Sequence, residues 1–92
     1  MVTGFRHKGM RQYYQSGSKV GIQAQHANRL RLILARLDAA KEPRDMNLPG
    51  LRLHKMTCDL EGFWAVDVSG NWRIIFRFDG PDVCEVDYLD YH

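Results

Sequence analysis

The stretch FWAVDVSGNWRIIFRF, residues 63–78, decides the fold. Apolar and polar residues alternate on both sides of Ser69-Gly70-Asn71, a tight-turn signal, and this pattern is typical of a β-hairpin. We predict its first strand over Phe63–Val68. In its second strand the large apolar residues share one face: Trp72, Ile74, Phe76 and Phe78. The other face carries Arg73, Ile75 and Arg77.

Further strands are predicted on either side of this hairpin. Downstream, Asp79-Gly80-Pro81-Asp82 turns the chain, and Val83–Tyr88 returns with alternate apolar residues on a common face. Upstream, Leu51 and Leu53 alternate with Arg52 and His54, which indicates another strand. Val2–Arg6 has the composition of a further short strand.

Two helices are predicted before residue 50. The longer, from about Gln23 to Lys41, has an apolar stripe at spacings of three and four, and Pro43 prevents its continuation. The shorter, Lys8–Gln15, stops at Ser16-Gly17-Ser18. The predicted fold is α+β, with two helices packed on one face of a twisted antiparallel β-sheet. The predicted domain is a single one, residues 1–92.

Composition excludes several classes of protein. The 92 residues, 45% hydrophobic and 26% charged, are typical of one ordered globular domain. No apolar run approaches the ~20 residues of a membrane helix, and the first eight residues lack a signal core, so we expect a cytoplasmic protein. Cys58 and Cys84 form no CxxC pair and the histidines no HxxxH pair. We therefore expect no metal and no cofactor.

The two parts of the chain differ strongly in charge. Residues 1–58 hold eleven Lys or Arg against three Asp or Glu, a net +8, whereas residues 59–92 hold two against eight, a net −6. A basic part of this density suits contact with a polyanion such as RNA, and it also suits an ordinary solvated helix face. The basic residues that we select as RNA- or ribosome-binding are Arg6, Lys8, Arg11, Arg29, Arg31, Arg36, Lys55 and Arg77.

The chain ends on Asp90-Tyr91-His92, which supplies a hydrogen-bond acceptor, a stacking ring and a proton shuttle. Cleavage of RNA without a metal needs proton transfer at the ribose 2′-hydroxyl and at the leaving 5′-oxygen, together with charge stabilisation at the phosphorane. Histidine suits the proton transfers, and arginine suits the phosphorane. His54 and Arg73, predicted to point to the uncovered face of the sheet, complete the set.

Each of these residues also has a structural interpretation. A histidine on a strand is often structural, Tyr91 could serve packing, and Arg73 and Arg77 could lie on a solvated strand face. If the strand of His54 neighbours the strand of Arg73, the two side chains face one groove. We interpret His7 and His26 as surface or capping residues.

The combined motifs resemble the HigB branch of the RelE toxin superfamily over nearly the whole length. They are Phe5-Arg6-His7-Lys8-Gly9, Leu53-His54, Gly62-Phe63-Trp64, Asn71-Trp72-Arg73-Ile74 and Asp90-Tyr91-His92. The resemblance implies helices on an antiparallel sheet, ribosome-dependent and metal-free cleavage of mRNA in the decoding site, and 2′,3′-cyclic phosphate products. It also implies neutralisation by a HigA-type antitoxin, through which alone the toxin would contact operator DNA. By position, the implied active-site residues are His54, Arg73, Asp90, Tyr91 and His92.

The chain departs from the family at one position. Related toxins carry a lysine three positions after the histidine of the Leu-His motif, and Thr57 stands there. Lys55 is the nearest lysine, but a continued strand would turn it away from the side of His54. Either Lys55 substitutes, or the site has one cation fewer and a weaker activity.

Two other functions compete with this one. ParE-type toxins share the superfamily fold but bind DNA gyrase and do not cut RNA. A small ribosome- or RNA-binding protein without toxicity is the second alternative. His54 and the closing Asp90-Tyr91-His92 favour the nuclease, because a gyrase binder needs no acid–base pair.

Overall fold

Two α-helices pack on one face of a four-stranded antiparallel sheet in the computed structural model, which describes residues 1–90. The helices are α1 (Lys8–Ser16) and α2 (Ala27–Ala39). The strands, in the order β1-β2-β3-β4 across the sheet, are β1 (His54–Lys55), β2 (Trp64–Ser69), β3 (Trp72–Asp79) and β4 (Asp82–Asp90). The predicted α+β class is confirmed. The predictions made for Tyr91 and His92 lie outside the described residues.

The helices begin and end where local chemistry favours it. The Nδ1 atom of His7 accepts a hydrogen bond from the backbone N–H of Met10 at 3.1 Å, which caps α1. Gly17 ends α1 in the left-handed conformation, with φ of 76°. A single 3₁₀ turn, Ala24–His26, occupies the predicted first turn of the long helix, so α2 proper starts at Ala27.

The main core lies between the helices and the inner face of the sheet, the face that carries Ile74 and Phe76. The fully buried members of this core come from both helices, the strands and the loop after α2: Met10, Leu30, Ile33, Leu37, Met46, Val66, Ile74, Phe76, Val83 and Val86. Trp72 and Phe78 pack against it, as their spacing predicts. No helix within residues 1–90 combines the length and apolar character needed to cross a bilayer.

The outer face of the sheet is not fully uncovered, which the sequence analysis did not anticipate. Phe63, Ala65 and Ile75 form a second buried cluster there. Met56, Leu60 and Leu89 pack against it, since the segment between β1 and β2 folds back over this face. This cluster covers the middle of the outer face, and Arg73 and Arg77 lie on either side of it along β3.

The first residues of the chain run alongside β4. Val2 pairs with Val83, and Phe5 pairs with Val86, both in parallel orientation. The predicted strand Val2–Arg6 thus consists of two isolated bridges. They cover the edge of β4 that would otherwise be unpaired.

Candidate active site

His54 and Arg73 lie on the outer face of the sheet. His54 is opposite Ala65 on β2, and Ala65 is opposite Ile75 on β3. Because opposed residues of antiparallel strands project to the same side, His54 shares a face with Ile75 and with Arg73, two positions before it. The condition set for the predicted groove, that the strands of His54 and Arg73 are neighbours, is not met. β2 lies between them and separates them by roughly 10 Å, two strand spacings.

The imidazole of His54 is oriented by the main chain. Its Nδ1 atom lies 2.8 Å from the carbonyl oxygen of Arg52, and His54 is exposed. A carbonyl oxygen can only accept a hydrogen bond, so Nδ1 carries the proton and donates it. In the neutral ring the lone pair is then on Nε2, the atom that a general base needs to have available.

Arg52 has an unusual backbone conformation for a residue with a side chain. Its φ is +52°, in the left-handed region. The conformation accompanies two contacts of this one residue: the carbonyl oxygen meets the His54 ring, and Nη1 lies 3.3 Å from Oδ2 of Asp67. No role for Arg52 or Asp67 could be predicted from the sequence, because the alternation pattern does not reveal where a strand is interrupted.

The guanidinium of Arg73 is held from three directions. Nε lies 2.8 Å from Oδ1 of Asp67, directly opposite on β2. Nη1 donates to the carbonyl oxygens of Gly70 at 2.8 Å and Trp72 at 3.1 Å. The Asp67 contact is an ion pair whose angle is not that of a hydrogen bond, and no residue of 1–90 donates a hydrogen bond to this buried Oδ1. Arg73 is thus a pre-positioned cation.

Asp90 does not join His54 and Arg73 on the outer face. Its register partner is Trp72, whereas Arg73 pairs with Leu89, so Asp90 belongs to the inner face at the same end of the sheet. Tyr88, the register partner of Ile74, is on that face too. Burial raises the pKa of Tyr88, and the nearby charge of Asp90 raises it further. The structure therefore brings His54 and Arg73 to the outer face, whereas Asp90 lies on the inner face at the end of the sheet where Arg73 is located.

His26 is not a surface residue, in contrast to one part of its interpretation from sequence. It occupies the N-cap position of α2, but its side chain makes no capping bond there. It is 5% exposed and contacts Trp72 and Tyr88 edge to face. Tertiary contacts with β3 and β4 bury it, and no local pattern signals those contacts. His7 does cap α1, as predicted, and also contacts the ring of Tyr88.

Lys55 is turned away from His54, as the strand period predicts. It is opposite Trp64, and its Nζ lies 5.4 Å from the centre of that ring. A cavity of about 590 Å³ opens beside these two residues and is also lined by Thr57 and Phe63. Lys55 therefore supplies no charge to the face of His54 and Arg73 in this conformation.

The other basic residues selected from sequence differ in their surroundings. Arg6, Lys8, Arg11, Arg31 and Arg36 are exposed. Arg29 is half-buried instead, and its Nη2 donates to the carbonyl oxygens of Gly50 at 2.6 Å and Asp67 at 3.4 Å. Arg77 pairs with Glu85 at 2.9 Å, and its pKa is raised first by a hydrogen bond with Cys84 and then by Glu85. Residues 1–90 contain no cluster of three or more His, Cys, Asp or Glu that could hold a metal ion.

The two helices on a four-stranded antiparallel sheet form an α+β arrangement that agrees with the RelE-like fold. Residues 3–92 match the family described as the RelE-like toxin of type II toxin–antitoxin system HigB. The chain is also 36% identical over 92 residues, the full length of both proteins, to the endoribonuclease HigB of Proteus vulgaris. The chain belongs to the HigB-like toxin family of type II toxin–antitoxin systems, and the predicted resemblance is confirmed.

Proposed function

We propose that this toxin is an endoribonuclease that cleaves mRNA in the ribosomal A site, without a metal, and so inhibits translation and growth. The observation that carries the proposal is the orientation of His54: the Arg52 carbonyl holds its Nδ1–H, which leaves Nε2 as the basic atom on the face of Arg73. The name of the 36% identical relative, an endoribonuclease, supports an endoribonuclease activity.

In the proposed reaction the ribose 2′-oxygen attacks the adjacent phosphorus, and the bond from phosphorus to the 5′-oxygen breaks. One histidine takes the 2′-hydroxyl proton and the other gives a proton to the departing 5′-oxygen, with His54 and His92 sharing these tasks. The products are a 2′,3′-cyclic phosphate and a 5′-hydroxyl. Arg73 stabilises the phosphorane, a role that suits a cation already held by Asp67 and two carbonyl groups.

Asp90 and Tyr91 have supporting roles in this proposal. Asp90 faces away from His54, so we assign it to the orientation of His92, two positions later in the chain. Tyr91 stacks on a nucleotide base, an interaction worth about 1–3 kcal/mol in single-stranded nucleic acid binding.

Ribosome binding is assigned to the exposed basic residues of the N-terminal segment and the two helices. Arg6, Lys8 and Arg11 come from the start of the chain, and Arg31 and Arg36 come from α2. Contacts of this type with RNA phosphates are independent of sequence and weaken with salt. Lys55 and Arg77 are secondary contributors, because one lies on the Trp64 ring and the other is paired with Glu85. Arg29 contributes to ribosome binding indirectly, because its hydrogen bonds to the carbonyl oxygens of Gly50 and Asp67 fix the backbone there.

The partner that controls the toxin is proposed to be a HigA-type antitoxin with a helix-turn-helix domain. Membership of a type II toxin–antitoxin family supports an antitoxin partner, and the resemblance to HigB-type toxins is our reason for choosing the HigA type. Operator DNA would then be contacted by the antitoxin, and by the toxin only through it.

The test is a cleavage assay with purified protein and ribosomes programmed with a defined mRNA. We expect cleavage of ribosome-bound mRNA but not of free mRNA, with 2′,3′-cyclic phosphate ends and no cleavage when the A-site codon is 2′-O-methylated. His54→Ala should lower the rate about 10²- to 10⁴-fold, the usual contribution of general acid–base catalysis. Arg44→Gln, at an exposed residue paired with Glu42, serves as the matched control. Intact mRNA together with inhibited supercoiling by DNA gyrase would overturn the proposal.

A further inference from the structure

One carboxylate, that of Asp67, contacts two arginines. Oδ1 lies 2.8 Å from Nε of Arg73, and Oδ2 lies 3.3 Å from Nη1 of Arg52. The side chain of Asp67 is only 15% exposed and that of Arg73 only 20%, whereas that of Arg52 is 77% exposed. A half-buried anion thus holds one cation in place and keeps a second, solvent-facing cation beside it.

The charges of this trio do not cancel. Two guanidinium groups and one carboxylate leave a net charge of +1, since arginine stays protonated in proteins. Arg29 approaches Asp67 as well, but it bonds to the main-chain oxygen. An anion that approaches the exposed side of the trio therefore meets an excess of positive charge. It also meets guanidinium N–H groups of the two arginines that do not contact Asp67.

The same residue that supplies the second cation also orients the proposed base. The Arg52 carbonyl accepts from Nδ1 of His54, while the Arg52 side chain reaches the Asp67–Arg73 pair. A phosphate located between the His54 ring and Arg73 would thus lie close to Arg52. Lys55 is on the opposite side of the sheet, and Thr57 is uncharged, so neither offers a cation to this face.

We propose that Arg52 binds the scissile phosphate together with Arg73, and that Asp67 is a positioning residue for both. This inference rests on the proposed ribonuclease function. Arg52 then supplies the positive charge that is missing at position 57, where this chain has Thr57. Its exposed side chain shifts from Oδ2 of Asp67 to a phosphate oxygen when RNA binds, and Asp67 retains Arg73.

The experiment compares four variants in the programmed-ribosome cleavage assay: Arg52→Gln, Arg52→Gly, Arg52→Lys and the control Arg44→Gln. Glycine adopts positive φ without strain, so Arg52→Gly removes the cation but keeps the backbone that orients His54. We expect kcat to fall about 10- to 100-fold for both Arg52→Gln and Arg52→Gly, within the range for loss of one charge-stabilising group. Arg52→Lys should recover part of that rate, and Arg44→Gln should match the wild type.

A binding measurement separates failure of this inference from failure of the proposed function. The probe is a ribosome carrying mRNA with a 2′-O-methylated A-site codon, bound by each variant at several salt concentrations. Loss of one phosphate contact should reduce the slope of log K against log salt by about 0.7–0.9 for Arg52→Gln, and this shift does not require cleavage. An active wild type with unchanged kcat and slope in Arg52→Gln would overturn the inference and leave the ribonuclease intact. If Arg52→Gly kept full activity while Arg52→Gln lost it, the backbone conformation of Arg52 and not its charge would matter, and the inference would be wrong.

Asp67→Asn tests the positioning role. It raises the net charge by one unit, so RNA binding should be at least as tight as in the wild type, yet kcat should fall about 10-fold or more because Arg73 loses its ion-pair partner. A merely structural role would not lower kcat while KM stays the same in a variant whose thermal unfolding remains cooperative, so this combination tests the positioning role. A higher kcat would mean that Asp67 masks the arginines, and the positioning role would be wrong.

Discussion

Nδ1 of His26 and the hydroxyl oxygen of Tyr88 share a buried hydrogen bond of 2.5 Å across 62 positions of the sequence. The contact joins the turn before α2 to the inner face of β4, next to the stacked rings of Trp72 and Tyr88, whose centres are 4.5 Å apart. It therefore ties the helical layer to the end of the sheet where Arg73 and Asp90 are located.

Tyr88→Phe should destabilise the protein by about 1–3 kcal/mol, because it leaves a buried ring nitrogen of His26 without its partner. Tyr14→Phe is the matched control: the same atom is removed, but the Tyr14 hydroxyl bonds Asp38 in an exposed location, so about 1 kcal/mol or less is expected. Urea unfolding of the three proteins at pH 7 measures both changes. Equal losses in the two variants would contradict the assigned role of the buried bond.

The Tyr14–Asp38 hydrogen bond predicts a specific pH dependence of stability. It raises the pKa of Tyr14 from 10.0 to about 12, and the same bond, with a further one from the Val2 amide, lowers the pKa of Asp38. For Tyr14 the stabilisation is complete below pH 10 and is lost as the pH rises towards 12. For Asp38 it is complete above the normal carboxyl pKa and is lost as the pH falls through the lowered value.

The difference in unfolding free energy between wild type and Tyr14→Phe should thus be constant from about pH 5 to pH 9 and shrink at both ends. Because both side chains are close to solvent, about 0.5–1 kcal/mol is the expected plateau. Denaturant titrations across this pH range test it. A difference that grows above pH 10 would have the wrong sign.

Gly9→Ala should destabilise the protein by about 1–3 kcal/mol or prevent its folding, since the added methyl overlaps the backbone of Gly21. The approach is reciprocal: a Cβ on Gly21 would lie 2.5 Å from the Cα atom of Gly9. Gly4→Ala is the control, because its Cβ would meet only the Glu85 nitrogen at 3.7 Å, an ordinary contact. Thermal unfolding compares the two. Equal midpoints would show that the loop after α1 yields without strain.

Thr57→Lys should raise the cleavage rate, because it supplies the cation that the resemblance to HigB-type toxins leads us to expect at this position. The exposed side chain of Thr57 leaves room for the change. If Arg52 already supplies a second cation, the gain should be larger in the Arg52→Gln background than in the wild type, and the double variant measures this coupling. An unchanged or lower rate in both backgrounds would count against a missing cation.

The sequence predicted the sheet well because its information is local. Alternation in residues 63–78 and the turn at Ser69-Gly70-Asn71 specify a hairpin without reference to the rest of the chain, and β2 and β3 match the predicted strands within one residue. The buried stripe of α2 followed in the same way from its spacing. The side of the sheet that Lys55 occupies was also predicted from the strand period alone.

The features that sequence missed depend on contacts between distant segments. The strand expected from the alternation of Leu51 and Leu53 is interrupted by the positive φ of Arg52, and β1 begins only at His54. The alternation therefore could not reveal that the Arg52 side chain reaches Asp67. Burial of His26 depends on Tyr88, 62 positions away. The position of β2 between His54 and Arg73 follows from strand order, which hydrophobic periodicity does not encode.

The central claim, that this toxin cuts mRNA during translation, is tested most directly by mapping 5′ ends of cellular mRNA after brief induced expression of wild type and His92→Ala. The account predicts new 5′ ends in register with translated codons in the wild type and their absence in the variant. Growth arrest by the wild type without such ends would contradict it and would point to a target that is bound and not cleaved.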